Sequence, residues 1–87
     1  METLTNASFQ NLTKTEQVVM IINSGKELMC REEEGYVIHL YLLSGLFVEV
    51  WFESDSKKIV NVESIDKESI TRNYMVMNEL VKQLFDN

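Results

Sequence analysis

Three short separators divide the middle of this chain into four segments that are rich in apolar residues. The separators are Glu33-Glu34-Gly35, Leu43-Ser44-Gly45 and Ser54-Asp55-Ser56-Lys57. The segments around them have the length and the β-branched or aromatic content of strands. They are residues 28–32, 36–42, 46–53 and 59–63. Because such short separators join neighbouring antiparallel strands as hairpins, the sequence predicts a four-stranded antiparallel β-meander.

A helix is predicted on each side of this meander. Thr13 and Glu16 have the spacing of a capping box, and an apolar run follows them up to Gly25. The Val and Ile residues of the run would also suit a strand, but the residues at its two ends favour a helix. Asp66 can cap the second helix, whose apolar stripe is Ile70, Tyr74, Met77, Leu80 or Val81, and Leu84.

The predicted fold class is therefore α+β, with the element order α-β-β-β-β-α. Both helices are expected on one face of the sheet, because their apolar stripes need apolar cover. Residues 1–11 are polar and aperiodic apart from Leu4 and Phe9, and they are predicted to form a flexible polar tail from which Phe9 packs back onto the domain. A chain of 87 residues supports one modest core, so residues 12–87 are predicted to form a single domain.

The register of the central hairpin decides which side chains share a face of the sheet. A two-residue turn at Ser44-Gly45 would place Leu40 opposite Glu49 and bring a charge into the most apolar stretch. A three-residue loop instead pairs Leu42 with Leu46, and the resulting face is wholly apolar or aromatic. Since a shift of one residue turns every side chain to the other face, we predict the three-residue loop, both here and in the preceding hairpin.

This register predicts two unlike faces. The core face would carry Leu28, Cys30, Tyr36, Ile38, Leu40, Leu42, Leu46, Val48, Val50, Phe52, Val60 and Val62. The second face would carry Met29, Arg31, Asn61 and Glu63 together with seven candidate interface or ligand residues. These candidates are Val37, His39, Tyr41, Phe47, Glu49, Trp51 and Ile59. Their aromatic content is unusual for a face exposed to solvent, which is typical of an interface or a binding site.

Composition and charge exclude several classes of function. With 14 acidic and 8 basic residues the formal net charge is -6, which disfavours binding to nucleic acid. No apolar run is long enough to span a membrane, and the first ten residues lack a secretory signal, so a cytoplasmic protein is expected. Cys30 is the only cysteine, and it is predicted to be buried and inert, with no disulfide or multi-cysteine metal site.

The chain has no recognisable catalytic, cofactor-binding or metal-binding motif, and the acidic run 32–34 reads as a solvated hairpin. The leading hypothesis is a non-enzymatic interaction module that forms a homodimer or binds a protein partner through the second face. The alternative is a small-ligand binder or minor enzyme that uses His39 opposite Glu49. A third hypothesis, an acidic partner or inhibitor of a basic protein, rests on net charge alone.

Overall fold

The computed structural model describes residues 4–74, with the side chains of Lys67 and Thr71 excepted. In chain order the elements are α1 (Asn6–Gln10), α2 (Lys14–Ser24), β1 (Lys26–Glu33), β2 (Tyr36–Leu43), β3 (Leu46–Glu53), β4 (Ile59–Ile65) and α3 (Lys67–Asn73). The strands form one antiparallel sheet in the order β1-β2-β3-β4. The predicted α+β meander is confirmed. The part of the predicted second helix from Met77 to Leu84 lies outside the described residues.

The beginning of α2 is the capping box that the sequence predicted. The Thr13 hydroxyl accepts a hydrogen bond from the Glu16 backbone N–H at 3.1 Å, and Glu16 Oε1 accepts one from the Thr13 N–H at 2.8 Å. Gly25 ends the helix, as expected, with φ at −78°. This value is ordinary for any residue, so the glycine is needed for another reason, which is close contact with Ile21.

The segment predicted as a flexible tail contains a second short helix. The hydroxyl groups of Thr5 and Ser8 form a reciprocal capping box at the start of α1. Phe9 is completely buried in the core, and the Gln17 side-chain amide donates to the Phe9 carbonyl at 2.9 Å. Burial of one large aromatic side chain therefore anchors α1 to the sheet, although the surrounding residues are polar.

Both of the first two hairpins have two-residue turns, so the predicted three-residue loops are wrong. Leu43 pairs with Leu46 across Ser44-Gly45, and Glu33 pairs with Tyr36 in the preceding hairpin. Ser44 and Gly45 both have positive φ, at 48° and 85°. A turn with two positive φ angles matches the right-handed twist of the strands, which favours this register over a longer loop.

The observed register gives each face of the sheet its own apolar cluster and its own helix. We call the side that carries Val48, Val50 and Val62 the α2 face, because Phe9 of α1 and Ile21 of α2 pack there. The opposite side is the α3 face, where Leu40 and Phe47 pack against Ile70 and Tyr74. The helices therefore cover opposite faces, which corrects the expectation that they share one. Each face carries apolar side chains, so each face needs cover.

Candidate functional site

The seven candidate residues do not share one face. Val37, His39, Tyr41 and Ile59 belong to the α2 face, whereas Phe47, Glu49 and Trp51 belong to the α3 face. His39 pairs with Val50, and Glu49 pairs with Leu40, so the sheet itself separates His39 from Glu49. The predicted aromatic second face is therefore not formed as one surface. The cause is the two-residue turn. It places the odd-numbered side chains of β3 on the opposite face of the sheet from the odd-numbered side chains of β2.

Glu49 is the centre of a buried polar cluster on the α3 face. It is 1% exposed, and its Oε2 accepts hydrogen bonds from the Tyr74 hydroxyl at 2.6 Å and from Arg31 Nη2 at 3.1 Å. Arg31 Nε lies 3.3 Å from the same oxygen, and Trp51 Nε1 lies 3.4 Å from Oε1. A buried carboxylate is tolerated when donors surround it in this way.

Arg31 holds this cluster together from β1. Its guanidinium carbon lies 5.5 Å from the centre of the Trp51 ring and 5.3 Å from that of Tyr74, and Nη1 also binds Glu33. Burial alone would lower the pKa of Arg31, but contacts with Tyr74 and Glu49 outweigh it and raise that pKa. Burial and the hydrogen bond to Glu49 raise the pKa of Tyr74. Each charged group is already partnered, so we interpret the cluster as structural.

His39 lies on the α2 face in a different environment. Its Nδ1 is 2.7 Å from Glu27 Oε1, its ring stacks beside Tyr41 at 6.4 Å, and it meets Phe52 edge-on at 5.2 Å. Cys30 pairs with His39 across β1 and β2 and is exposed, which corrects the predicted burial of this thiol. Burial, followed by the charge of Glu27, raises the pKa of Tyr41.

No group of three or more His, Cys, Asp or Glu within residues 4–74 is arranged to hold a metal ion.

An apolar groove runs between α2 and the sheet, and we call it the α2 groove. Its volume is about 240 Å³, and its lining residues are Val18, Ile21, Ile22, Tyr41, Val50, Phe52 and Ile59. Ile22, one of these lining residues, is 75% exposed, and Val19, about one helical turn before it in α2, is 48% exposed. Val60 of β4, the residue after Ile59, is 44% exposed. Apolar side chains exposed beside an apolar groove form a surface suited to a partner.

A second groove lies where β2 meets the turn between β3 and β4, and we call it the tip groove. Its volume is about 280 Å³, and its lining residues are Val37, His39, Phe52, Glu53, Ser54 and Lys57. It differs from the α2 groove in having one acidic and one basic residue among its lining. The two grooves meet at Phe52, which belongs to both.

The residues of α2 that form this surface were not among the predicted site residues. The five consecutive apolar residues from Val18 to Ile22 were a usable signal, because a helix cannot turn such a run wholly towards one neighbour.

None of the helices within residues 4–74 is long and apolar enough to cross a membrane. Comparison with protein-family models, curated proteins and solved structures finds no match for this chain.

Proposed function

We propose that this protein is a non-enzymatic interaction module that forms a symmetric homodimer through its α2 face. One observation carries the proposal: Ile22, 75% exposed, lines an open apolar groove of about 240 Å³. A single exposed isoleucine is common on protein surfaces. An exposed isoleucine that continues into an apolar groove, with Val19 beside it, is typical of a contact surface.

The charges that border the α2 face favour a second copy of the chain as the occupant. Lys14 reaches the Ile59 carbonyl at 2.9 Å, and Lys57 and Lys58 lead into β4, so cations border one side of this face. Glu27 and Glu32 lie on β1 at its other side. A two-fold axis parallel to the strands places the β1 side of each copy over the β4 side of the other. Acidic and basic borders then meet at both ends of the interface.

Sedimentation velocity of the wild type and of Ile22→Glu tests this proposal. We expect the wild type to be a dimer at tens of micromolar and Ile22→Glu to be a folded monomer, with the circular dichroism spectrum of the wild type. The matched control is Tyr36→Glu, because Tyr36 is 37% exposed and belongs to the α3 face. This control should remain dimeric.

Two results would overturn the dimer. One is a wild type that stays monomeric at concentrations up to several hundred micromolar, in which case Ile22 would be assigned to a different protein partner. The other is an Ile22→Glu variant that dimerises as well as the wild type. Dimerisation that weakens as salt is raised would support the pairing of acidic and basic borders, because exposed ion pairs are screened.

A further inference from the structure

Tyr36 lies between two carboxylates at one end of the α3 face. Its cross-strand partners are Glu33 of β1 and Glu53 of β3, so the three side chains form one row, which we call the Tyr36 row. The Ser54 N–H donates to the Gly35 carbonyl at 3.0 Å, and this bond joins the neighbours of Tyr36 and Glu53 instead of the pair itself. Side chains approach most closely in a pair of this kind, whose Cα atoms are about 4.5 Å apart.

The Tyr36 row is exposed to solvent and has unused capacity to bind a cation. Tyr36 is 37% exposed, the Glu33 side chain is 50% exposed, and Glu53 is also exposed. The Ser56 hydroxyl donates to Glu53 Oε1 at 2.8 Å and so orients this carboxylate, whereas Glu33 is shared with Arg31. Within residues 4–74, Glu53 forms no ion pair and no cation lies over the Tyr36 ring. An aromatic ring between two carboxylates is therefore open to a ligand.

The neighbouring row of the α3 face already holds a guanidinium in this kind of setting. The Arg31 guanidinium carbon lies 5.5 Å from the centre of the Trp51 ring, and Glu33 and Glu49 both contact this guanidinium. Tyr36 meets Trp51 edge-on, with 5.7 Å between the ring centres. The Tyr36 ring thus continues the aromatic surface on which Arg31 lies. The same chemistry is repeated at the Tyr36 row, where the guanidinium would come from another molecule.

We propose that the Tyr36 row binds the guanidinium group of an arginine side chain in a basic segment of a partner protein. The guanidinium would stack on the Tyr36 ring and donate from its edges to Glu33 and Glu53. Arginine suits this row better than lysine, because its planar group stacks on a ring, whereas an ammonium is a compact and strongly hydrated charge. The formal net charge of -6 favours the approach of a basic partner. An anionic ligand is disfavoured because both carboxylates would repel it.

Titration of the ¹⁵N-labelled protein with the peptide acetyl-Gly-Arg-Gly-Arg-Gly-amide at low ionic strength, followed by NMR, tests this site. We expect saturable shifts at the Tyr36 and Glu53 amides and at the Trp51 indole N–H, with a dissociation constant on the order of 1 mM. The same peptide with citrulline in place of arginine keeps the planar shape but has no charge, and it should bind at least about tenfold more weakly. The lysine peptide keeps the charge but loses planar stacking, and it should bind about threefold more weakly.

Substitutions with a matched neighbour make the test specific. Tyr36→Leu keeps an apolar side chain but removes the ring, and it should weaken binding about threefold to fivefold. Glu53→Gln removes one carboxylate and should weaken binding about threefold to fivefold. Glu34→Gln removes the same charge from the adjacent turn, outside the Tyr36 row, and should change binding by less than about twofold. All three residues are exposed, so the substitutions should leave folding intact.

Several outcomes would overturn the site. Among the titrations, these are the absence of saturable shifts around Tyr36 and equal binding of the citrulline peptide. Among the variants, they are wild-type binding by Tyr36→Leu and a loss in Glu34→Gln as large as that in Glu53→Gln, which would indicate a diffuse acidic surface.

The same titration of Ile22→Glu separates this proposal from the dimer, because the Tyr36 row lies on the opposite face of the sheet from Ile22. Binding that persists in this variant supports the site whether or not the wild type dimerises. Loss of binding in Ile22→Glu would place the peptide on the α2 face and would reject the Tyr36 row.

Discussion

The Tyr74 hydroxyl donates a 2.6 Å hydrogen bond to Glu49 Oε2, and this bond joins the residue that follows α3 to the centre of β3. Tyr74 is 3% exposed and Glu49 is 1% exposed, so the contact is shielded from solvent. Arg31 adds a positive charge from β1. Together with the packing of Ile70 against Leu40 and Phe47, this polar contact fixes α3 on its face of the sheet.

Replacing the carboxylate with an amide should destabilise the protein. In Glu49→Gln the Arg31 guanidinium, at 16% side-chain exposure, loses its buried counter-ion and keeps only Glu33, whose side chain is 50% exposed. We expect the free energy of unfolding to fall by about 2 kcal/mol, below the full value for a wholly buried pair. Urea denaturation measures this change. Glu34→Gln, in the exposed turn between β1 and β2, is the control and should change stability by less than about 0.5 kcal/mol. Equal effects of the two variants would contradict the structural role of Glu49.

The same contact predicts a loss of stability at high pH. Burial and the hydrogen bond to Glu49 raise the pKa of Tyr74 above its usual value of 10.0. Above pH 10 the unfolded chain therefore releases a proton that the folded protein keeps, and the free energy of unfolding falls as pH rises. The stabilisation is complete below pH 10 and is lost as pH rises through the pKa of the folded state.

Tyr74→Phe removes this titration, so its unfolding free energy should decline less steeply above pH 10 than that of the wild type. Chemical denaturation at several alkaline pH values measures the two slopes. Tyr41, whose pKa is also raised, titrates in both proteins and cancels in the comparison. Identical slopes for Tyr74→Phe and the wild type would show that the hydroxyl ionises equally in the folded and unfolded states.

The order of strands and the start of α2 were predictable because their determinants are local. Thr13 and Glu16 are three residues apart, and each hairpin is limited by a short separator. The register was not predictable in this way. The sequence pattern disfavours the observed register because that register buries Glu49, yet two of the partners that make this burial acceptable are distant in sequence: Arg31 is 18 residues away and Tyr74 is 25. A pattern read along neighbouring strands does not contain those contacts.

The error in register also determined how much of the candidate site was predictable. His39 was expected to face a carboxylate, and it does, but the carboxylate is that of Glu27 on β1. Tyr41 and Ile59 were correctly grouped with His39, whereas Phe47 and Trp51 belong to the other face. The exposed apolar side chains of α2 depend on how much of that helix the sheet covers, which is a property of the packed structure.

The two-residue turn at Ser44-Gly45 can be tested by substitution at Ser44, because this turn gives Ser44 a positive φ. Ser44 has φ at 48°, a region that asparagine adopts more readily than serine. Ser44→Asn should therefore stabilise the protein by about 0.5 kcal/mol, and Ser44→Val should destabilise it by about 1–2 kcal/mol. Thermal denaturation compares the three proteins. A Ser44→Asn variant that is less stable than the wild type would argue against positive φ at this position, and so against the observed register.

Gly25 and Gly35 are required for different physical reasons, and substitution can separate the two. Gly25 has an ordinary φ of −78°, but a Cβ atom there would lie 2.6 Å from the Ile21 carbonyl oxygen. Gly35 has φ at 82° and open space around it. Gly25→Ala should destabilise by about 1–3 kcal/mol through steric overlap, and Gly35→Ala by about 1 kcal/mol through backbone strain.

Asparagine distinguishes the two causes, because it tolerates positive φ but still carries a Cβ atom. Gly35→Asn should recover part of the stability lost in Gly35→Ala. Gly25→Asn should remain at least as unstable as Gly25→Ala, because its Cβ meets the same carbonyl. Melting temperatures of the four variants measure both differences. If asparagine rescued position 25 as well, the close approach of Gly25 to Ile21 would not be the reason that glycine is needed there.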